Sequence, residues 1–401
     1  MEDGILYATE PLERAVFLER PNRFIVRVQR RPRPPRAPAS SSRRASQQTT
    51  LAHIGNPGRM GEILLPRTEV LLASRPHTAS GWEAVGAVWA ARWPGDRPRA
   101  VCLETGRINH LARALIEKGC IPELADHRIV QSEFVHGRSR FDFLLQGPAG
   151  PYLLEVKSVT LTEHGLALFP DAQSARARRH LQELSRCTRR DGWRAGVLFL
   201  VQGEATRFLP DFHNDLLFSR AFRRARAALE FLPYALEPRL HPDGRLVFDS
   251  PPRRLDIPWN ILAAGTRDHG LYLLVLHLPR TRRLALGKLG SQRFDPGWYV
   301  YAGAARRGLA RRLGGHLRRR QRPIQSIDVF RAACDRAEAF PIRTATEACA
   351  LAEMVARLGT LPVRGFGTPG CSCSGHLIRV PRAPTRTAPF QELLTAMRHR
   401  L

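Results

Sequence analysis

The chain has 401 residues, enough for two or three domains and too many for one ordinary core. Its formal net charge is +27, which favours a polyanionic partner, nucleic acid before an anionic membrane. No apolar run of about 18 residues predicts a membrane span, the acidic start Met1-Glu2-Asp3-Gly4 does not read as a signal peptide, and seven scattered cysteines fit reduced thiols in a cytoplasm rather than disulfides.

In chain order, Ala15-Val16-Phe17-Leu18 and Arg23-Phe24-Ile25-Val26-Arg27-Val28 alternate apolar and polar and predict two short strands. Residues 29–50 are rich in Pro, Arg and Ser and cannot bury apolar surface, so a disordered insert is expected. Further strands are expected at 63–65, 69–73, 81–92 and 99–103. Short strands with Gly/Pro punctuation predict an OB-like β-barrel over residues 1–95. A helix at 109–118 follows, with Leu111, Leu115 and Ile116 on one face and Gly119 as its stop. Strands at 129–135, 140–146 and 152–159, a helix at 174–188 and a buried strand at 195–201 complete the order α-β-β-β-α-β. That is the core order of the PD-(D/E)xK nuclease fold, an α/β domain assigned to residues 96–237. Residues 238–261 read as a linker. A small α+β domain over 262–382 has strands at 270–275, 284–289 and 298–302 and helices at 309–320 and 346–357. Residues 383–401 form a tail. The fold class is therefore a multidomain chain, α/β and α+β.

The most telling residue is a lysine. Of 63 basic residues three are lysines, leaving sixty arginines, and one of the three stands in Leu154-Glu155-Val156-Lys157. Drift towards arginine has replaced nearly every other lysine. Glu155 and Lys157, two apart, face one side of their strand. Asp142, on the preceding strand of a hairpin, joins them if paired positions have an odd index sum, 297 or 299; an even sum separates them. Phe141, Phe143, Leu154 and Val156 would then form the opposite, apolar face. Two clustered carboxylates repel unless a cation neutralises them. Mg²⁺ fits, with Asp142 and Glu155 as ligands, polarising a phosphate and activating water while Lys157 stabilises developing charge. A plain Glu–Lys surface pair is the alternative. Glu133, one strand earlier, is a further ligand or a hydrogen-bond partner of Asp142. Arg176, Arg179, His180 and Glu183 fall at i, i+3, i+4 and i+7 and share a helix face suited to phosphates or to solvent.

These residues belong to longer motifs. Pro11-Leu12-x-Arg14-Ala15-x-Phe17-Leu18-x-Arg20-x-Asn22-Arg23-Phe24, Asn56-x-Gly58-Arg59-Met60-x-Glu62-Ile63-Leu64, Gly137-x-Ser139-Arg140-Phe141-Asp142-Phe143, Glu155-Val156-Lys157-Ser158-Val159-Thr160, Phe169-Pro170-Asp171-Ala172 and His180-Leu181-x-Glu183-Leu184 occur in order. Together they resemble the sugar fermentation stimulation protein A family over about residues 10–236. The resemblance implies an N-terminal OB-like domain, a PD-(D/E)xK-type domain, DNA binding and a link to regulation of sugar (maltose) utilisation genes. It implies Asp142, Glu155 and Lys157 as the nuclease-like triplet. Nucleic-acid contacts are expected at Arg23, Asn56, Arg59 and Arg140. The insert at 29–50 and Glu104-Thr105, in place of the usual Asp-Thr, depart from the family pattern.

Residues 262–382 resemble a GIY-YIG-like domain of the type associated with endonuclease III, through Gly270-Leu271-Tyr272, Gly287-Lys288-Leu289-Gly290, Gly297-x-Tyr299-Val300-Tyr301-Ala302-Gly303 and Gly365-Phe366-Gly367. That resemblance implies catalytic candidates Tyr272, Tyr301, Arg312, His316 and Glu347; pure binding is the alternative. Eight arginines and no acid between Arg306 and Arg322, Arg318 and Arg319 among them, read as a phosphate-tracking patch. Cys371-x-Cys373-x-x-His376 brings three zinc-type ligands close, with a fourth left to Cys334 or Cys349; packing is favoured there and zinc is not expected. The reading is a bacterial cytoplasmic DNA-binding protein with a Mg²⁺-dependent nuclease centre. A non-catalytic regulator of sugar genes is the alternative, RNA is a possible substrate, and oligomeric state is not legible.

Overall fold

The computed structural model describes residues 4–30, 49–76, 79–89, 98–137, 139–318, 323–343, 348–368 and 370–399. They form two compact units, residues 1–211 with 217–258, and residues 212–216 with 259–401.

The first unit opens with a barrel. Its strands are β1 (Glu13–Asn22), β2 (Ile25–Arg30), β3 (Thr49–His53), β4 (Glu69–Ser74) and β5 (Trp82–Trp89), joined in the order β3-β2-β1-β4-β5. A parallel pairing of His53 with Glu83 closes the ring. Alternating inward residues, among them Ala15, Phe17, Val26, Val28, Val70 and Leu72, fill it. The expected strand at 63–65 is a turn instead, with Ile63 and Leu64 buried. Residues 31–48 of the expected insert lie outside the described residues.

Strand β6 (Arg99–Cys102) leads from β5 into helix α1 (Thr105–Glu117). The meander β7 (Arg128–His136), β8 (Ser139–Gly147) and β9 (Gly150–Val159) follows. Helix α2 (Ala175–Arg190) carries the chain to β10 (Arg194–Gln202), and β11 (Glu230–Leu236) comes after it. The sheet order is β7-β8-β9-β10-β11, with Arg253–Arg254 added at the far edge. β9, β10 and β11 run parallel, whereas β7, β8 and β9 are antiparallel neighbours. Leu154, Val156, Leu198 and Leu200 pack on the α1 side with Ile108, Leu111 and Leu115. Val197 and Phe199 meet Leu181 and Leu184 of α2 on the other. The α-β-β-β-α-β order is as expected.

Residues 238–258 of the segment read as a linker are part of this unit. Leu246–Phe248 pairs with Arg239–Leu240 on one side and with Tyr7–Ala8 on the other, and Leu246, Val247 and Phe248 are buried. The Pro and Asp residues there punctuate a turn, Asp243-Gly244, between two short strands.

The second unit has the sheet order β14-β12-β13-β15, from β12 (Gly270–Leu278), β13 (Gly297–Ala305), β14 (Arg336–Ile342) and β15 (Leu377–Val380). Its helices include α3 (Leu309–Leu317), α4 (Ser326–Ala333), α5 (Ala348–Ala356) and α6 (Ala388–His399). The region taken as a tail is α6, whose Phe390, Leu393 and Leu394 lie in an apolar cluster with Phe340, Leu351 and Val355. Among the described residues no helix is long and apolar enough to cross a membrane.

One buried side chain joins the strand leaving the barrel to the mixed sheet. Gln202, at the end of β10, accepts from Cys102 N (2.7 Å) and donates to Cys102 O and Ser158 Oγ (both 3.0 Å). Gln202→Leu would leave a buried N–H and a buried C=O unpaired, each worth about 1–3 kcal/mol. The variant is expected to unfold at a clearly lower urea midpoint; an unchanged midpoint would show that this clamp is dispensable.

Candidate functional site

The hairpin register has the odd sum that the pattern demanded. β8 and β9 pair with sum 297, from Gly150–Gly147 to Leu154–Phe143. Parity alone does not complete the site, because the recorded pairs end there. The next hydrogen bond is made by a side chain: Val156 N–H donates to Asp142 Oδ2 at 2.7 Å, while Asn109 Nδ2 of α1 donates to Asp142 Oδ1 at 2.8 Å. Phe143 stays with the α1-side cluster, as do Leu154 and Val156. Phe141, expected on the same face, instead sets its ring against His180 of α2. Asp142, Glu155 and Lys157 thus converge where two strands separate, and all three line one cleft of about 820 Å³.

Glu155 is the buried centre of this group, 2% exposed. Its Oε1 is shared by Lys157 Nζ and by His180 Nδ1, the latter at 2.5 Å. Its Oε2 is buried and has no hydrogen-bond partner among the described residues. Burial pushes the Glu155 carboxyl up, but Lys157 and His180 together overcome it and hold the group below its ordinary range. Asp142 moves the other way. Burial raises it and the Glu155 charge adds to the rise, against Lys157 and the two hydrogen bonds. One carboxylate is neutralised within the protein, then, and the other is not.

The remaining expected residues divide by position. Arg23, Asn56, Glu133, Arg140 and Arg176 line the cleft. Glu133 has φ of 51° and an exposed carboxylate paired with Arg140 at 3.3 Å. Arg179 is exposed on α2 but is not among the cleft residues. His180 is buried against Glu155, so it positions a carboxylate instead of presenting an imidazole to solvent.

Several contributors escaped the sequence reading. Arg20 donates to the carbonyls of Arg23, Asn56, Gly58 and Arg59 and so shapes the 55–60 loop of the cleft wall. Asp171 accepts from Met60 N at 3.1 Å, and a Cβ at Gly58 would overlap its carboxylate, so this approach needs glycine. Phe24 is exposed at the cleft with the Arg23 guanidinium 4.7 Å from its ring centre. Glu104, the departure from the family pattern, is paired with Arg107. The motif Asn56-x-Gly58 carried a signal, since Asn56 Oδ1 accepts from Gly58 N at 2.9 Å in an Asx turn.

In the second unit Tyr272, Arg312 and His316 come together. Arg312 Nε donates to the Tyr272 hydroxyl at 3.2 Å, and that hydroxyl lies 3.1 Å from His316 Nε2. His316 Nδ1 lies 3.0 Å from Asp328 Oδ1. An ionised carboxylate only accepts, so Asp328 fixes the Nδ1–H tautomer and the Tyr272 hydroxyl donates to Nε2. Burial lowers His316 below its usual range. Tyr301 stands beside Tyr272, ring centres 6.2 Å apart. Asp328 was missed; its signal was the capping box at the start of α4. Arg318 is exposed and bonds the Gly314 carbonyl. Glu347 and Arg319 lie outside the described residues.

Comparison with known proteins agrees with this architecture. The model of the SfsA N-terminal OB domain matches residues 18–93, and that of the sugar fermentation stimulation protein RE domain matches residues 106–241. Residues 271–399 match a domain of unknown function, DUF123. A sugar fermentation stimulation protein homolog of Methanothermobacter thermautotrophicus is 36% identical over 250 residues, 61% of this chain and 93% of the relative. A homolog of Methylobacterium nodulans is 40% identical over 206 residues, 50% of this chain and 84% of the relative. The structure of Pyrococcus furiosus SfsA in complex with Ca²⁺ superposes with a TM-score of 0.52 at 25% identity, covering 63% of this chain and 98% of that one. The chain belongs to the sugar fermentation stimulation protein family and carries a GIY-YIG-like DUF123 domain at its C-terminal end.

Proposed function

We propose that the cleft holding Asp142, Glu155 and Lys157 is the site of a divalent-cation-dependent phosphodiesterase acting on DNA. The observation that carries this reading is the Glu155 Oε2 atom, buried and without a partner beside a second carboxylate. A plain surface ion pair has no reason to desolvate a carboxylate oxygen and leave it unmatched. Two carboxylate oxygens are hard ligands suited to Mg²⁺, which keeps further positions for water and phosphate. The Pyrococcus relative was obtained with Ca²⁺, another hard oxygen-seeking cation.

Asp142 and Glu155 would hold the cation, which supplies Lewis-acid polarisation of the phosphate and a more acidic bound water. Asn109 and the Val156 N–H aim Asp142, and His180 holds Glu155 in place. The Lys157 ammonium stabilises charge that builds on the attacked phosphate. Arg23, Arg140 and Arg176 at the cleft bind flanking phosphates, and the exposed Phe24 ring offers a stacking surface for a base.

Purified protein with Mg²⁺ is expected to cleave supercoiled or branched DNA, and Asp142→Asn or Glu155→Gln to lower the rate at least about 100-fold while leaving DNA binding intact. Equal cleavage by Asp142→Asn, or none by the wild type, would remove the enzyme and leave a DNA-binding regulator of sugar genes. Parallel assays on RNA decide the substrate. Binding is expected to weaken steeply with salt, since each neutralised phosphate releases counterions; flat affinity would argue against the arginine-lined face.

The ion cluster also predicts a pH dependence. Glu155 is held below its ordinary 4.5 in the folded chain. Its stabilising contribution is therefore present above pH 4.5 and lost as pH falls through the lowered folded value. Glu155→Gln is expected to destabilise by about 3 kcal/mol at pH 7, the scale for removing one partner of a buried pair, and by less at an acid pH below 4.5. Urea unfolding at both pH values reads this; an equal cost at both would contradict the buried ion cluster.

A further inference from the structure

A second group of ligands lies in the C-terminal unit. Cys349, Cys371, Cys373 and His376 bring three sulfurs and an imidazole nitrogen within 4.8 Å of one another. From sequence the fourth ligand was open between Cys334 and Cys349. Cys334 is buried in the core with its thiol against the Phe330 carbonyl at 3.3 Å, whereas Cys349, in the first turn of α5, completes the set. We propose that these four residues form a structural zinc site.

The geometry fits a tetrahedron. Cys371 Sγ lies 3.6 Å from His376 Nε2. With Zn–S of about 2.3 Å and Zn–N of about 2.05 Å, the S-to-N edge of a tetrahedral site is about 3.6 Å. All seven cysteines are free thiols. The His376 ring is held by a hydrogen bond to the backbone of Ala302, the kind of support that orients metal-binding imidazoles. Its own backbone is anchored as well, donating to Phe366 O at 2.8 Å and accepting from Ala302 N at 2.9 Å. Three thiolates and an imidazole select zinc over the oxygen-seeking Mg²⁺. Four protein ligands leave no open position, so the ion is structural and not catalytic.

The site has a definite mechanical consequence. It ties the start of α5 to the loop ahead of β15, a loop that includes the left-handed glycines Gly365, Gly367 and Gly370. Gly367 lies against Tyr301; a Cβ there would stand 2.7 Å from the tyrosine ring and 3.4 Å from the His376 Cβ. Tyr301 in turn flanks Tyr272. The metal therefore fixes the loop that backs the tyrosine pair.

Elemental analysis of the full chain, purified without chelators, tests this. About one equivalent of zinc per chain is expected. The double variant C349S/C373S should retain less than a tenth of that and melt at a lower temperature. A readout that needs no variant is Co²⁺ exchange into the wild-type chain, which should give the sulfur-to-cobalt charge-transfer band and tetrahedral visible absorption of a thiolate site. Metal-free protein that develops no such band, iron in place of zinc, or full zinc retention by the double variant would each overturn the proposal.

Discussion

The Val156 N–H bond to Asp142 organises the candidate site. In an uninterrupted hairpin that amide would pair with backbone, and Asp142 and Glu155 would stay a fixed distance apart across the ladder. Because a carboxylate takes the amide instead, the strands separate just where the charged residues stand. The opening lets Asn109 reach Asp142 from α1 and lets Phe141 swing against His180 on the α2 side. Elements on both faces of the sheet therefore meet at one cleft, and the barrel's 55–60 loop, shaped by Arg20 and by Asp171 against Gly58, supplies its wall.

The electrostatics follow from that opening. A single lysine cannot satisfy two clustered carboxylates, and here it sides with Glu155. His180 adds a second contact to the same oxygen, leaving the other oxygen bare. Asp142 feels the Lys157 charge and two hydrogen bonds, which offset its burial and the Glu155 charge only in part. The folded chain thus carries an unmatched negative charge in a cleft with arginines around it. Such an arrangement costs stability on its own and makes sense as one half of a complex with a cation and a phosphate. The Tyr272–His316–Asp328 chain differs in kind, since each polar atom there already has a partner within the unit.

Much of this was legible in the sequence. A lysine kept among sixty arginines marked the site, the odd index sum of the β8–β9 register followed from apolar alternation, and the α-β-β-β-α-β order came from helix and strand periods. What failed did so for physical reasons. Face alternation assumed a ladder that continues past Phe143, and the side-chain bond of Asp142 breaks that assumption. Leu246-Val247-Phe248 was passed over because Pro and Asp surround it, although three consecutive apolar residues need burial. The Phe390, Leu393, Leu394 and Met397 stripe has plain helical spacing and should have marked α6. Asn109 and Arg20 act through partners far away in the chain, at separations that no local pattern encodes.

A crystal grown with Mn²⁺ and measured at the manganese absorption edge tests the central claim most directly. The account predicts one anomalous peak in the cleft, about 2.0–2.3 Å from an Asp142 oxygen and from Glu155 Oε2, with Lys157 and His180 still on Oε1. A cleft without a peak at saturating Mn²⁺, or a metal bound elsewhere while Glu155 Oε2 stays bare, would contradict it.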